Sequence, residues 1–150
     1  MPSISAVLPA VQAAGICGMG GATFPAHVKL TVGEGKYCDT IILNGAECET
    51  HVTCDHRLMI EEPQRIVDGL RAVMRALDVK RGVIAIEDNK PDAIDSMQRA
   101  AAGREGVEVM TLRTKYPQGS EKQLIYAVTG REVPSKKLPL DAHVIVLNVG

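Results

Sequence analysis

Four short aliphatic runs recur along this chain, each closing on a turn signal and separated from the next by a helical pattern or a glycine- and proline-bearing loop. They are Asp39 to Leu43, Gly82 to Ile86, Val107 to Leu112 and His143 to Leu147. The first stops at Asn44-Gly45, a strong breaker, and the second at the charged turn Glu87-Asp88-Asn89-Lys90. Between those two, Ile66, Val67, Leu70, Val73, Met74 and Leu77 recur at helical spacing. Pro63 and Pro91 each suit the first turn of a helix, and Gly103 suits a stop. Strands alternating with helices predict an α/β fold, a layered αβα domain with a largely parallel sheet of about four to five strands. Only 3% of residues are aromatic and there is no tryptophan, so the core must be aliphatic. That suits a parallel sheet covered on both faces.

The remaining segments fit the same plan. Ser5 to Ala14 reads as a short amphipathic helix with Val7, Leu8 and Val11 on one face, and Asp55 to Ile60 as another. Gly119-Ser120 starts a helix that runs to Val128 and closes at Gly130, and Arg131 to Asp141 is a loop. With 150 residues and 45% hydrophobic content, the chain supports one core and therefore a single domain over residues 1–150. The last strand leads straight to Asn148-Val149-Gly150 with no helix to cover it, so the domain is expected to be a fragment of a longer chain.

A net charge of −1 argues against nucleic acid as a partner. No apolar run approaches the roughly 20 residues that a membrane helix needs. A basic segment followed by an apolar core is absent from the start of the chain, so no signal peptide is expected. The four cysteines form no Cys-x-x-Cys pair, and a reducing, cytoplasmic setting is the simplest reading.

Chemistry is concentrated between Gly15 and Leu30, where four glycines fall within seven residues and Phe24, Pro25, His27 and Lys29 follow. Bunched glycines expose backbone N–H groups and let the backbone approach a ligand closely. A lysine nearby can supply a point charge for a phosphate. Two standard nucleotide patterns fail. Gly18-Met-Gly20-Gly21-Ala-Thr23 lacks the third glycine of the dinucleotide fingerprint and follows a helix rather than a strand. No Gly-Lys-Ser/Thr occurs anywhere. By spacing alone, such a segment is more often a tight loop than a ligand cradle.

Order and identity along the whole chain narrow the reading. Gly18-Met-Gly-Gly-Ala-Thr-Phe-Pro-Ala-His-Val-Lys-Leu30, Ile42-Leu-Asn-Gly-Ala-Glu-Cys-Glu49 and Asp55-His-Arg57 resemble the RnfC subunit of the Rnf electron-transport complex. Tyr116-Pro-Gln-Gly-Ser-Glu-Lys-Gln-Leu124 and Asn148-Val-Gly150 look like the same family. The proline-reductase-associated electron-transfer protein is a close relative by the same residues, and the flavin subunit of respiratory complex I a more distant one. The resemblance implies a flavoprotein domain in which FMN accepts a hydride from NADH and passes electrons to iron–sulfur centres or a partner reductase. It implies that Gly18, Gly20 and Gly21 wrap the FMN, with Lys29 near its phosphate. Asn44, Gly119, Ser120, Glu121 and Asn148 are the further cofactor positions that it carries over, and Glu47 with Glu49 form the acidic pair beside the nicotinamide. Iron–sulfur clusters are expected only in a region downstream of Gly150. The implied partners are NADH and other subunits of an electron-transfer complex, with the domain held at the inner face of the membrane through them and crossing no membrane itself.

Two other readings compete. Glu47, Cys48, His51, Cys54, Asp55 and His56 carry metal-ligand chemistry, but the spacing lacks the paired knuckle of a zinc ribbon, and no metal is expected. In that segment Asp55 is expected to cap the next helix, and Arg57 to pair with Glu47 or Glu49. The alternative function is a cofactor-free, non-catalytic assembly module of an electron-transport complex.

Overall fold

The computed structural model describes residues 4–20 and 22–150, with side chains from Val7 onward. Its centre is a four-stranded sheet of β1 (Thr40–Gly45), β2 (Arg81–Glu87), β3 (Val107–Leu112) and β4 (Val144–Asn148). All neighbours run parallel in the order β3-β2-β1-β4. The chain lays down β1, β2 and β3 outward in one direction, then crosses back to place β4 on the free side of β1. In open α/β sheets, ligands bind outside the carboxyl ends of the strands where the order reverses in this way. Here that point is the β1–β4 pair, where Asn44 stands beside Asn148.

Period-two alternation divides the strands between two apolar layers. Ile41, Leu43, Ile84 and Ile86 face helices α3 (Cys54–Glu61), α4 (Pro63–Ala76) and α5 (Pro91–Ala101), against Met59, Val67, Leu70 and Met97. Ile42, Val83, Ala85, Val144 and Val146 face the opposite way, against Leu124, Ile125 and Val128 of α6 (Glu121–Thr129). Each fully buried branched side chain contributes about 1.5–3 kcal/mol, and none of the central contacts needs an aromatic ring. The layered αβα architecture matches the sequence reading.

The differences are local and have physical reasons. β1 does not stop before Asn44-Gly45 but runs through both, because Gly45 lets the strand pass Met59 and the Ala85 carbonyl where a Cβ would come within 2.9 Å and 3.1 Å of them. β2 likewise takes in Glu87. Ala26–Leu30 forms one short helix, α2, after the first helix α1 (Ile4–Ala13). Pro139–Ala142 folds as a 3₁₀ turn inside the expected loop. His143 does not open β4: it sits in the left-handed region at φ 63° as the cap of that turn, with its ring stacked 3.9 Å from that of Tyr37.

Candidate functional site

The glycine segment is an excursion closed at its neck. The Gly18 amide donates to the Phe24 carbonyl (2.9 Å), Ala26 donates to Ile16 (3.0 Å), and Cys17 and Pro25 form an isolated antiparallel bridge. The tip reaches the end of β4. A Cβ on Gly20 would lie 1.5 Å from Asn148 Nδ2 and 2.3 Å from its Cγ, so only glycine permits this approach. Gly18 meets no such limit, its nearest neighbour being the Phe24 carbonyl at 3.8 Å. Gly21 lies outside the described residues.

Asn44 ties β1 to the segment that leads into α6. Its Nδ2 donates to the Gly119 carbonyl (3.0 Å), and its Oδ1 accepts from the Ala46 amide (3.1 Å). Gly119 is packed so closely that a Cβ there would stand 2.5 Å from the Ala46 carbonyl oxygen. Ser120 caps α6 without a side-chain hydrogen bond, and Glu121 in its first turn pairs with Lys29 of α2 at 3.1 Å. That ion pair is partly exposed on both sides, so its worth is small and its cation is exchangeable.

The acidic loop separates the two glutamates. Glu47 is buried, and its carboxylate accepts from the Asp55 amide (2.9 Å) and the His56 amide (3.2 Å). Glu47, rather than Asp55, therefore satisfies the start of α3. Glu49 is exposed. Burial and then the negative charge of Glu47 push the Asp55 carboxyl above its ordinary value. Desolvation, with Asp55 and Glu47 next, pushes the Cys54 thiol up as well. Arg57 pairs with Glu61 one turn along α3, not with Glu47 or Glu49. Of the metal-ligand candidates among the described residues, Glu47, Cys54 and Asp55 bring ligand atoms within 4.8 Å of one another, while His56 is bonded to Asp92 at 2.7 Å.

Sequence reasoning missed three buried polar groups at this edge. Glu87 and Lys90 form an ion pair (3.4 Å) with side-chain exposures of 1% and 8%. Gln118 is buried, and its Oε1 has no hydrogen-bond partner. A charged turn after a strand normally reads as solvated, and no local pattern distinguishes one that folds inward. For Gln118, its place directly before Gly119 was the available signal.

Around these groups a cleft of about 620 Å³ opens between the glycine loop and α3–α4, with Gly18, Gly20, Lys29 and Asn148 among its lining residues. Asn44, Glu47, Glu49, Gly119 and Ser120 do not line it. They form an adjoining group, joined to the cleft through the Asn44–Asn148 strand neighbours and the Lys29–Glu121 pair.

Comparison with known proteins assigns this arrangement to a family. Residues 11–150 match the family model of the Nuo51 FMN-binding domain. The chain belongs to that family. It is 52% identical over 145 residues to an RnfC-type subunit of the Na(+)-translocating ferredoxin:NAD(+) oxidoreductase complex of Acetobacterium woodii, a match that covers 97% of this chain and 33% of the relative. The corresponding subunit of the proton-translocating ferredoxin:NAD(+) oxidoreductase complex of Clostridium ljungdahlii is 51% identical, over 99% of this chain and 32% of the relative. That of the ion-translocating oxidoreductase complex of Rhodobacter capsulatus is 48% identical, over 93% and 27%. The chain thus spans about a third of the length of the curated relatives it matches. Among solved structures, the H2-reduced NAD+-reducing NiFe hydrogenase superposes with a TM-score of 0.79 at 23% identity, over 98% of this chain and 29% of the other, a likeness of fold. The resemblance to RnfC read from the motifs is borne out.

Proposed function

We propose that residues 1–150 form an FMN- and NADH-binding domain that takes part in flavin-dependent electron transfer, as part of a longer subunit of an electron-transfer complex. The observation that carries the reading is convergence. Gly20, Lys29, Asn44, Gly119, Glu121 and Asn148 come from six separated positions and meet at the carboxyl edge of the sheet, at the reversal of strand order. Family membership and relatives named as ferredoxin:NAD(+) oxidoreductase subunits support the same direction.

The residues present fit the cofactor. Gly20 leaves a backbone cradle against Asn148, Lys29 offers an exchangeable cation, and the unpartnered Oε1 of Gln118 calls for a donor. When bound, FMN supplies the exchange between two-electron and one-electron chemistry. The chain's own residues bind and orient it. Lys29 supplies the positive charge for the phosphate, with Gly18, Gly20 and Gly21 offering backbone N–H groups around it. Asn44 and Asn148 are uncharged hydrogen-bonding groups at neighbouring strand ends, and Asn44 also sets the distance between β1 and the loop of Gly119 and Ser120. Glu49 presents a free-standing acid on the loop that Glu47 anchors, where it would face the nicotinamide. The partners in this reading are NADH and other subunits, which hold the domain at the cytoplasmic face of the membrane. None of the described helices is long and apolar enough to cross a membrane.

Titration of the purified chain with FMN tests the proposal. Binding is expected to shift the flavin absorbance and quench its fluorescence, and Lys29→Ala is expected to weaken it about tenfold through the lost phosphate contact. Absence of a signal at high FMN concentration overturns the reading in favour of the assembly module. Bleaching of bound flavin by NADH separates an enzyme from a passive binder.

A further inference from the structure

We propose that the buried Glu87–Lys90 pair is a positioning element of the cofactor site, holding the acidic loop and the segment before α6 at one fixed spacing. The inference rests on the flavin-domain reading above. Both residues stand where β2 ends, at the same sheet edge as Asn44 and Asn148. The Lys90 ammonium donates to three acceptors: Glu87 Oε2 (3.4 Å), Asn89 Oδ1 (3.0 Å) and the main-chain carbonyl of Glu47 (3.4 Å). The other carboxylate oxygen, Glu87 Oε1, accepts from the Lys115 amide (3.3 Å). One oxygen pair and one ammonium therefore grip two segments that are far apart in sequence. The first carries Glu47 and Glu49, and the second leads to Gln118, Gly119 and Ser120.

A stabilising role alone is a poor account of such a pair. Removing two charges from water costs about as much as their attraction returns, and well-packed apolar side chains of similar volume generally hold a core as well or better. What apolar groups cannot do is fix a carbonyl and an amide at a set distance. The neighbouring Asp88 carboxylate repeats the device, accepting from the Thr114 amide at 3.0 Å. The positive charge also reaches into the acidic loop, where it partly offsets the burial and the Glu47 charge that raise Asp55. Lys90 and Glu87 do not line the cleft, so their action on a ligand passes through Glu47 and Gly119.

The test is the volume-matched double variant E87M/K90M, with thermal melting and hydrogen exchange on the ligand-free chain and FMN affinity alongside. A cooperative melt is expected to persist. Exchange is expected to quicken in residues 46–53 and 113–120 while the strands stay protected, and FMN Kd to rise about tenfold. The E87Q/K90Q variant keeps uncharged donors and acceptors and is expected to bind FMN within about threefold of wild type. Unchanged exchange in both segments, wild-type FMN affinity in E87M/K90M, or loss of its cooperative melt overturns the proposal. So does an E87Q/K90Q variant as impaired as E87M/K90M. A wild-type chain that takes up no FMN defeats the flavin reading instead, and the exchange comparison still judges the pair.

Discussion

Two regions flank the carboxyl edge of the sheet and are built on opposite principles. The glycine loop is open: Met19 is 83% exposed, Phe24 47%, and the cation beside it belongs to the partly exposed Lys29–Glu121 pair. The turn after β2 is closed, with its ion pair folded inward and the polar atoms of that pair committed to backbone and side-chain partners. The first region can exchange partners at little cost; the second cannot exchange any without leaving a charge stranded. A ligand site gains from having both, one wall that adapts and one that keeps its geometry.

The contrast is broken most forcefully by a single substitution in the closed region. Lys90→Met leaves the Glu87 carboxylate buried without its counter-ion and is expected to cost about 3–5 kcal/mol, read as a lowered denaturation midpoint. The same truncation in the open region, Lys29→Ala, is expected to cost under about 1 kcal/mol of stability. Equal losses would remove the distinction between the two walls.

Next in size is Gly20→Ala. The added Cβ would collide with Nδ2, Cγ and Cβ of Asn148, so either the loop tip or the asparagine must move. Because the tip is exposed, the expected stability change is within about 1 kcal/mol, whereas FMN affinity is expected to fall at least about tenfold. Isothermal titration beside a thermal melt separates the two effects. A variant that loses stability but binds FMN normally would make the glycine a packing residue only.

These cases also mark how far the sequence could be read. The αβα layering was legible because Ile41 to Leu43, Val83 to Ile86 and Val144 to Val146 alternate between two apolar layers with no polar interruption. Gly20, Asn44 and Asn148 were legible as site residues through motif order, and they do meet at one edge. The inward fold of Glu87 and Lys90 was not, since an isolated Glu-Asp-Asn-Lys turn is chemically indistinguishable from a solvated one. Only the tertiary neighbours, the Glu47 carbonyl and the Lys115 amide, make its burial tolerable. The cap of α3 was misread for the same reason: Asp55 was nearest in sequence, but Glu47 reaches the amides from eight residues away.

The smallest expected effect concerns how the closed wall feels pH. Burial, and then Glu47, raise the folded-state Asp55 carboxyl above its unfolded value. The folded chain therefore holds that proton more tightly than the unfolded chain. Stability from this group is present at low pH and is lost as pH rises from about 4, the unfolded value, through the raised folded value. Asp55→Asn removes the titration. The difference in denaturation midpoint between D55N and wild type is expected to grow in favour of D55N across that window and then level off. Other carboxylates cancel in the comparison because both chains share them. Lys90 partly offsets the rise, so in a Lys90→Met background the window should extend to higher pH. A midpoint difference that stays flat with pH would mean that Asp55 is solvated in the folded chain, and the acidic loop would then belong with the open wall rather than the closed one.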